Sequence, residues 1–500
     1  MNKPHNKKAC KAFMVQGTGS NVGKSMLVAG LCRYFTNKGL TVRPFKPQNM
    51  SNNAAVTKDG GEIGRAQALQ AMACKTDPTI HMNPVLLKPE GECGSQVIVQ
   101  GKRLGSYKAK DFYSLKKNLM PKVLESFELL KQEADLVIVE GAGSASEINL
   151  RENDIANMGF AIAANIPVIL AADIDRGGVL ASIVGTHALL PNDEINLIKG
   201  YIINKFRGDP TLFTSAETLI TEKTNWQSLG VCPWFQKANL LPAEDSQDLE
   251  NNTKINNSDK KLIKIAVPVL PRIANFDDLD PLAAEPKVEL KLIKQGELIP
   301  EDTDLIILTG SKATIADLEA LYQEGWHIDI AKHIRKGRSI LGLCGGYQIL
   351  GQSIKDPKGL EGRPREIEGL KLLDIETTLQ INKTLTEVTA EFLETHSTLS
   401  AYEMHMGKTT GPDTNRPLFK IKNDEDQIEG AQNLSGKVMG TYLHGLFQAD
   451  EFRNNFLQKL YKNFESQTAY KAQIETTLNE LSDHIAKTLN IKEIEKVQSQ

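Results

Sequence analysis

The run Ala12–Gln16 enters the turn Gly17-Thr18-Gly19-Ser20-Asn21-Val22-Gly23-Lys24-Ser25 and leaves it as a helical pattern through Met26–Thr36. A buried strand that ends in a glycine turn and opens directly into a helix leaves few architectures open to the rest of the chain. Such a strand needs parallel neighbours, and helices must cover both faces of the sheet. Leu136–Val139, Val168–Ala171 and Gly200–Ile203 are further buried-strand candidates, separated by helical patterns. The expected fold class is therefore α/β, with an N-terminal P-loop-type parallel sheet. Glycines let backbone N–H groups approach an anion, and the helix N-terminus adds partial positive charge. Gly17, Thr18, Gly19 and Gly23 would cradle the phosphates of ATP, Lys24 would reach the β- and γ-phosphates, and Ser25 would ligate Mg2+.

The strict GxxxxGK[ST] spacing is not met, because Thr18 stands five before Gly23 and the glycine falls at Gly17. This longer form resembles the loop of the dethiobiotin synthetase and MinD superfamily. Two strand ends point to the same site. Glu140, closing Leu136–Val139, suits Mg2+ directly or through water, and Asp173 is a second candidate. Asn204-Lys205, after Gly200–Ile203, is placed to read the adenine edge. The run Pro44-Phe45-Lys46-Pro47-Gln48-Asn49-Met50-Ser51-Asn52-Asn53 is dense in amides, which offer both donors and acceptors. Lys46, Gln48 and Asn49 suit a substrate rich in carboxylates and carboxamides, with Lys46 able to stabilise an acyl phosphate.

Residues 244–261 are polar and poor in apolar side chains, and read as a linker between residues 1–243 and a second alternating segment, residues 262–449. Strand candidates there are Ile263–Val269, Leu305–Leu308 and Ser339–Leu343. The last runs into Gly342-Leu343-Cys344-Gly345-Gly346, with Tyr347–Leu350 opening a helix. A cysteine on a sharp strand-to-helix turn is an exposed nucleophile, activated by the helix N-terminus. The Gly345 N–H is a natural oxyanion donor, and the Thr309-Gly310-Ser311 turn offers a second around Gly310 and Ser311. His444, in Gly440-Thr441-Tyr442-Leu443-His444, is the best base among nine histidines. His405, in Tyr402-Glu403-Met404-His405-Met406-Gly407, is its rival and fits substrate or interface duty better. Residues 450–500 turn polar and helical, and read as peripheral helices with a frayed end.

Six cysteines without a CxxC pair make neither a disulfide framework nor a zinc site, and point to a reducing, cytoplasmic setting. A net charge of −3 argues against nucleic acid and anionic membrane as partners. The most apolar stretch, Phe160–Ile174, is interrupted by Asn165, Pro167 and Asp173 and is too short to span a bilayer.

In chain order, Lys46–Asn53, Gly61–Gln67, Met82-Asn83-Pro84, Glu140–Ser144, Glu147–Leu150, Asp154–Met158, Asp173–Gly178, Gly310-Ser311-Lys312, Cys344, Tyr402–Gly407 and His444 resemble the cobyric acid synthase group of the CobB/CobQ family. The resemblance spans nearly the whole chain. It implies an ATP-dependent amidoligase domain followed by a class I glutamine amidotransferase-like α/β domain. The reaction it implies is a step of cobalamin biosynthesis, with glutamine, ATP and a corrinoid acid as substrates. The b, d, e and g carboxylates of adenosylcobyrinic acid a,c-diamide would be amidated, with ammonia carried along a sheltered path between the sites. Class I glutaminases usually carry a Glu two residues after the His. Here that position is Leu446, a gap the group shares, and what orients His444 stays open. Two rivals remain: cobyrinic acid a,c-diamide synthase, which the Gln48–Asn53 run disfavours, and a MinD-like ATPase with a non-catalytic glutaminase-like module, which the intact Cys344/His444 pair disfavours.

Overall fold

The computed structural model describes residues 9–90, 94–242, 262–422 and 427–498. The expected linker, 244–261, lies outside the described residues. The chain forms two compact units: one of Met1–Ser51, Gly61–Pro242 and Ile474–Gln500, the other of Asn52–Gly60 and Ala243–Gln473. Among the described residues no helix is long and apolar enough to cross a membrane.

The first unit is built on six parallel strands: β1 (Lys11–Gly17), β2 (Val42–Phe45), β3 (Leu136–Glu140), β4 (Val168–Asp173), β5 (Ile198–Phe206) and β6 (Gln227–Pro233). Their order is β6-β5-β4-β1-β3-β2. The strands nearest the middle are continuous apolar runs because both faces are covered; all five residues of β3 are buried. On one face Phe45, Phe127 and Phe160 meet with ring centroids 5.3 to 5.4 Å apart. Connections leave β1 toward β2 on one side and reach β4 on the other, so the crevice at the carboxyl end of β1 is a topological switch point. Helix α1 (Lys24–Asn37) follows β1 across the glycine turn, and α2 (Arg65–Ala73) packs beside it, with Arg33 Nη2 donating to the Met72 carbonyl at 2.8 Å.

Two local expectations change, and one run left without a structural assignment gains one. Strand β5 runs on through Phe206, so Asn204 and Lys205 lie within the strand rather than after it. The amide-rich run contains a strand: Gln48–Met50 pairs with Val85–Pro89 in a small sheet completed by Gly94–Val99 and Lys102–Lys108. Among the described residues the C-terminal region forms three helices, Asp450–Leu460, Tyr470–Thr488 and Ile491–Val497, and the last of them is packed rather than frayed, with Leu489, Ile494 and Val497 buried. Ile474, Leu478, Leu481 and Ile485 form one apolar stripe. It seats on α1 at Gly30, where an added Cβ would meet Ile485 Cδ1 at 2.3 Å. The buried Arg33 ties this helix to α1 through Glu475, at 2.8 Å.

The second unit carries β7 (Ile263–Pro268), β8 (Val288–Ile293), β9 (Leu305–Leu308), β10 (Ser339–Leu343) and β11 (Val438–Thr441), parallel in the order β8-β7-β9-β10-β11, with Ala431–Gln432 antiparallel at the edge. Helix α3 (Gly345–Ile349) follows β10 directly. A long ribbon, Glu376–Phe392 against Ser397–Thr410, continues into Leu443–His444, which places Tyr402 opposite His444. These are the two α/β halves that the sequence pattern implies.

Candidate functional site

At the end of β1 the turn is shaped around its lysine. Gly23 sits at φ +89°, a region closed to most side chains, and a Cβ there would meet Asn204 Nδ2 at 2.3 Å. Lys24 Nζ donates to the Gly19 carbonyl at 3.0 Å and the Gly143 carbonyl at 2.8 Å. The ammonium is thus held across the mouth of the turn, where phosphate oxygens of a nucleotide would sit. Gly17, Thr18 and Gly19 line the same turn; Thr18 N–H bonds the Ala171 carbonyl, and the Thr18 carbonyl accepts from Ser144 Oγ at 3.1 Å. Asn204 is buried against the turn and donates to the Val22 carbonyl at 2.8 Å, bracing the loop.

Glu140 is the meeting point of this site. Its carboxylate is almost wholly buried and accepts from Ser25 Oγ at 2.7 Å, Lys46 Nζ at 2.8 Å and Gln70 Nε2 at 2.5 Å. Ser25 comes from the phosphate turn, Lys46 from the amide-rich run and Gln70 from α2. Lys46 is positioned through its backbone: Asn83 Nδ2 donates to its carbonyl at 3.1 Å. Asn49 is buried and donates to Gln67 Oε1 at 3.0 Å, while Gln48 Oε1 is buried with no hydrogen-bond partner. Asp173 accepts from Lys205 Nζ at 3.0 Å and from the Asp175 N–H at 2.8 Å, and the same Lys205 Nζ donates to the Asn21 carbonyl of the phosphate turn. Among the described residues no group of three or more His, Cys, Asp or Glu gathers to hold a metal.

In the second unit Cys344 sits at φ +51°, ψ −106°, a strained conformation for a side chain with a Cβ. The neighbouring glycine is required by close approach: a Cβ on Gly346 would lie 2.0 Å from the Leu308 carbonyl oxygen. The elbow puts the sulfur at the carboxyl edge of the sheet, where it donates to the Met404 carbonyl at 3.1 Å. His444 lies beside it and is buried. Its Nδ1 bonds Asp278 Oδ2 at 2.6 Å, and Asp278 Oδ1 accepts from the Gly445 N–H at 2.6 Å. His444 Nε2 is buried and makes no formed hydrogen bond. Burial opposes charge on this ring, but the Asp278 carboxylate, with a smaller contribution from Cys344, outweighs it and pushes the imidazole up to about 10. Tyr402 stacks on His444 at 5.2 Å.

Gly310 flanks the same ring, since a Cβ built there would lie 3.4 Å from His444 Cε1. Ser311 Oγ is directed to Asp317 Oδ2 at 2.6 Å. Gly345 is the first residue of α3, and a Cβ on it would meet Ser311 N at 2.9 Å, so the two expected oxyanion segments adjoin. His405, the rival base, stacks on Tyr442 at 3.8 Å and bonds the Gly407 carbonyl at 2.9 Å through Nδ1.

Sequence reasoning missed Asp278, Gln70 and the Met404 carbonyl. For Asp278 one signal existed: Leu446 leaves His444 without the usual nearby acid, so a carboxylate had to come from elsewhere.

Residues 13–249 match the family described as the CobQ/CobB/MinD/ParA nucleotide binding domain, and residues 264–452 the CobB/CobQ-like glutamine amidotransferase domain. The cobyric acid synthase of Brucella suis is 53% identical over 481 residues, covering 96% of this chain and 98% of the relative. That of Allorhizobium ampelinum is 55% identical over 480 residues, again covering 96% and 98%. The chain belongs to the cobyric acid synthase family. It is accordingly a glutamine-hydrolysing carbon–nitrogen ligase, with a nucleotide-binding half and a glutaminase half. Cobyric acid synthases make amides in cobalamin biosynthesis, which accounts for one chain carrying both a phosphate turn and a cysteine elbow.

Proposed function

We propose that the chain amidates the b, d, e and g carboxylates of adenosylcobyrinic acid a,c-diamide, each with one glutamine and one ATP, in the cytoplasm. Residues 1–243 carry the ATP-dependent step and residues 262–449 release the ammonia. The observation that carries the ligase reading is the convergence of Ser25 and Lys46 on Glu140. It joins the phosphate turn to the amide-rich run, so a carboxylate bound by Lys46, Gln48 and Asn49 would lie beside the γ-phosphate.

Cys344 attacks the glutamine carboxamide, the tetrahedral oxyanion meets the Gly345 N–H and the Gly310-Ser311 backbone, and His444 passes a proton to the departing ammonia. A thioester remains, and water cleaves it. In the other half Lys24 neutralises charge on the transferring phosphoryl group while Lys46 holds the acceptor carboxylate. Ammonia then displaces phosphate from the acyl phosphate.

The donor set fits Mg2+, a hard cation that takes one or two protein oxygens beside phosphate and water. Ser25 Oγ and the Glu140 carboxylate are two such oxygens, already 2.7 Å apart. These residues would hold the ion, which supplies charge neutralisation to the bound triphosphate. The test of the whole reading is glutamine- and ATP-dependent turnover with two corrinoid acids side by side. Four successive amidations of the a,c-diamide are expected. Consumption of cobyrinic acid alone would place the chain at the earlier step.

Lys24→Ala should depress synthesis about 100-fold or more with either nitrogen source, because its charge meets phosphate charge that develops in transfer. Near-normal ammonia-dependent turnover in that variant would count against the ATP-site assignment. Glu140→Gln should weaken Mg2+-dependent turnover more than nucleotide affinity, since it keeps shape but removes the charge. A Mg2+ titration beside a nucleotide-binding measurement checks this, and an unchanged metal requirement would move the ligand role to Asp173.

A further inference from the structure

The second unit holds a buried carboxyl group, that of Glu429, which neither half of the proposed chemistry uses. Glu429 ends the two-residue strand Ile428–Glu429, which pairs with Phe419–Ile421. Gly430 follows at φ +79°, and a Cβ there would meet the Gly440 carbonyl oxygen at 2.9 Å, so the chain turns directly against β11. This close approach seats Glu429, 6% exposed, on the end of that strand. Its Oε2 accepts from Thr441 Oγ1 at 2.5 Å, and its Oε1 accepts from the Tyr442 N–H at 2.6 Å.

The segment it grips ties the cysteine elbow to the histidine. The Thr441 carbonyl accepts from the Cys344 N–H at 2.8 Å, and Thr441 Oγ1 accepts from the Leu443 N–H at 3.0 Å. His444 is the next residue. A shift of this segment moves the imidazole against the sulfur, where a misplacement of about 1 Å can cost on the order of 100-fold in rate. Glu429 has no ion-pair partner among the described residues; its donors are a hydroxyl and backbone N–H groups. Burying a carboxylate without a cation costs stability, so a neutral acceptor of the same shape would serve the fold at least as well. What the charge adds is two short, strong hydrogen bonds to the one segment that carries the base.

We infer that Glu429 is a positioning residue for glutamine hydrolysis: its ionised carboxylate fixes Thr441 and Tyr442, and through them holds His444 against Cys344. The inference rests on the reading of Cys344 and His444 as nucleophile and base. Burial pushes the Glu429 carboxyl up to about 7, opposed by the bonds from Thr441 and Tyr442, while Glu403 on the ribbon strand Ser397–Thr410 adds repulsion. The Tyr347 phenol on α3 also faces it, and burial keeps that phenol protonated. On protonation one oxygen of Glu429 becomes a donor, and the segment loses one of its two acceptors. The charged form is therefore the active one, and glutamine hydrolysis falls as pH drops through about 7.

The experiment follows glutamine-dependent and ammonium-dependent synthesis by the full chain, with ATP and the corrinoid acid, across the pH range. Above pH 7, Glu429→Gln should lower kcat with glutamine about ten-fold or more, with the glutamine KM little changed and synthesis from ammonium retained. Its glutamine profile should lack the acid limb near 7. Below that limb the unsubstituted chain should fall to the rate of the variant, because a protonated carboxyl and a carboxamide each leave a single acceptor oxygen. Thr441→Val removes only the hydroxyl contact, and the two changes together should lose less than their separate losses combined. An acid limb unmoved in Glu429→Gln, or undiminished glutamine turnover, would overturn the inference. Equal loss with both nitrogen sources, with a lowered unfolding temperature, would make Glu429 a brace for the fold and overturn it too. Should Glu429→Gln not fold, Thr441→Val carries the same comparison, and undiminished glutamine turnover there overturns the relay. Glutamine-dependent synthesis retained in Cys344→Ala would instead sink the nucleophile reading, and this inference with it.

Discussion

Cys344→Ala is expected to lower glutamine-dependent synthesis by about 10^4-fold or more, the scale seen when a covalent nucleophile is removed, and to leave synthesis from high ammonium running. The reason is the division of chemistry along the chain. The thiol is needed only to break the glutamine carboxamide. Lys24, Ser25, Lys46 and Glu140, which we place at the amide-forming step, are held by bonds within the first unit and use no atom of the cysteine elbow. Alanine fits the site, because the thiol contributes one hydrogen bond, to the Met404 carbonyl, and the strained backbone at φ +51° is fixed by the crowding around Gly342 and Gly346. The measurement is initial rate with glutamine and with ammonium on the same preparation. Equal loss with both nitrogen sources would show that the two activities are not separable in this way.

The parts legible in the sequence are those where local pattern and burial coincide. Strands β1, β3 and β4 read clearly because a parallel strand covered on both faces becomes an unbroken apolar run. Both turns read clearly because close backbone approach excludes side chains, which leaves Gly17, Gly23, Gly342 and Gly346 as visible marks. The amide-rich run was legible as unusual but not as a strand. Gln48–Met50 is three residues long and takes its place from pairing with Val85–Pro89, a partner that no local periodicity announces. Asn204 and Lys205 were read as lying after a strand because polar residues end an apolar run, yet β5 continues through them, with Asn204 bonded to Val22 and Lys205 to Asn21. The packing of helix Tyr470–Thr488 was hidden for a related reason. Ile474, Leu478, Leu481 and Ile485 show an amphipathic helix, but only the bare surface of Gly30 on α1 shows where it seats.

Asp278 was the least legible residue of all, 166 positions before the histidine it serves, and it carries the second large effect. Asp278→Asn is expected to cut glutamine hydrolysis by about 10^2- to 10^4-fold, by analogy with removal of the carboxylate from a Ser-His-Asp triad. Asparagine keeps the size and one oxygen for the Gly445 N–H, so the fold should survive. What it loses is the charge at 2.6 Å from His444 Nδ1, and its NH2 group favours the wrong imidazole tautomer. The sign of the pH effect follows from the cause. His444 is pushed up to about 10 mainly by the Asp278 carboxylate, against the opposing cost of burial. Without that carboxylate burial prevails, and the ring gives up its proton at lower pH. The alkaline limb of the glutaminase profile should therefore move down toward or below the ordinary histidine value of 6.5, while ammonia-dependent synthesis keeps its own profile. A variant that lost activity with an unmoved alkaline limb would make Asp278 a structural brace for the Gly445 turn. One with normal activity would return the question of what orients His444.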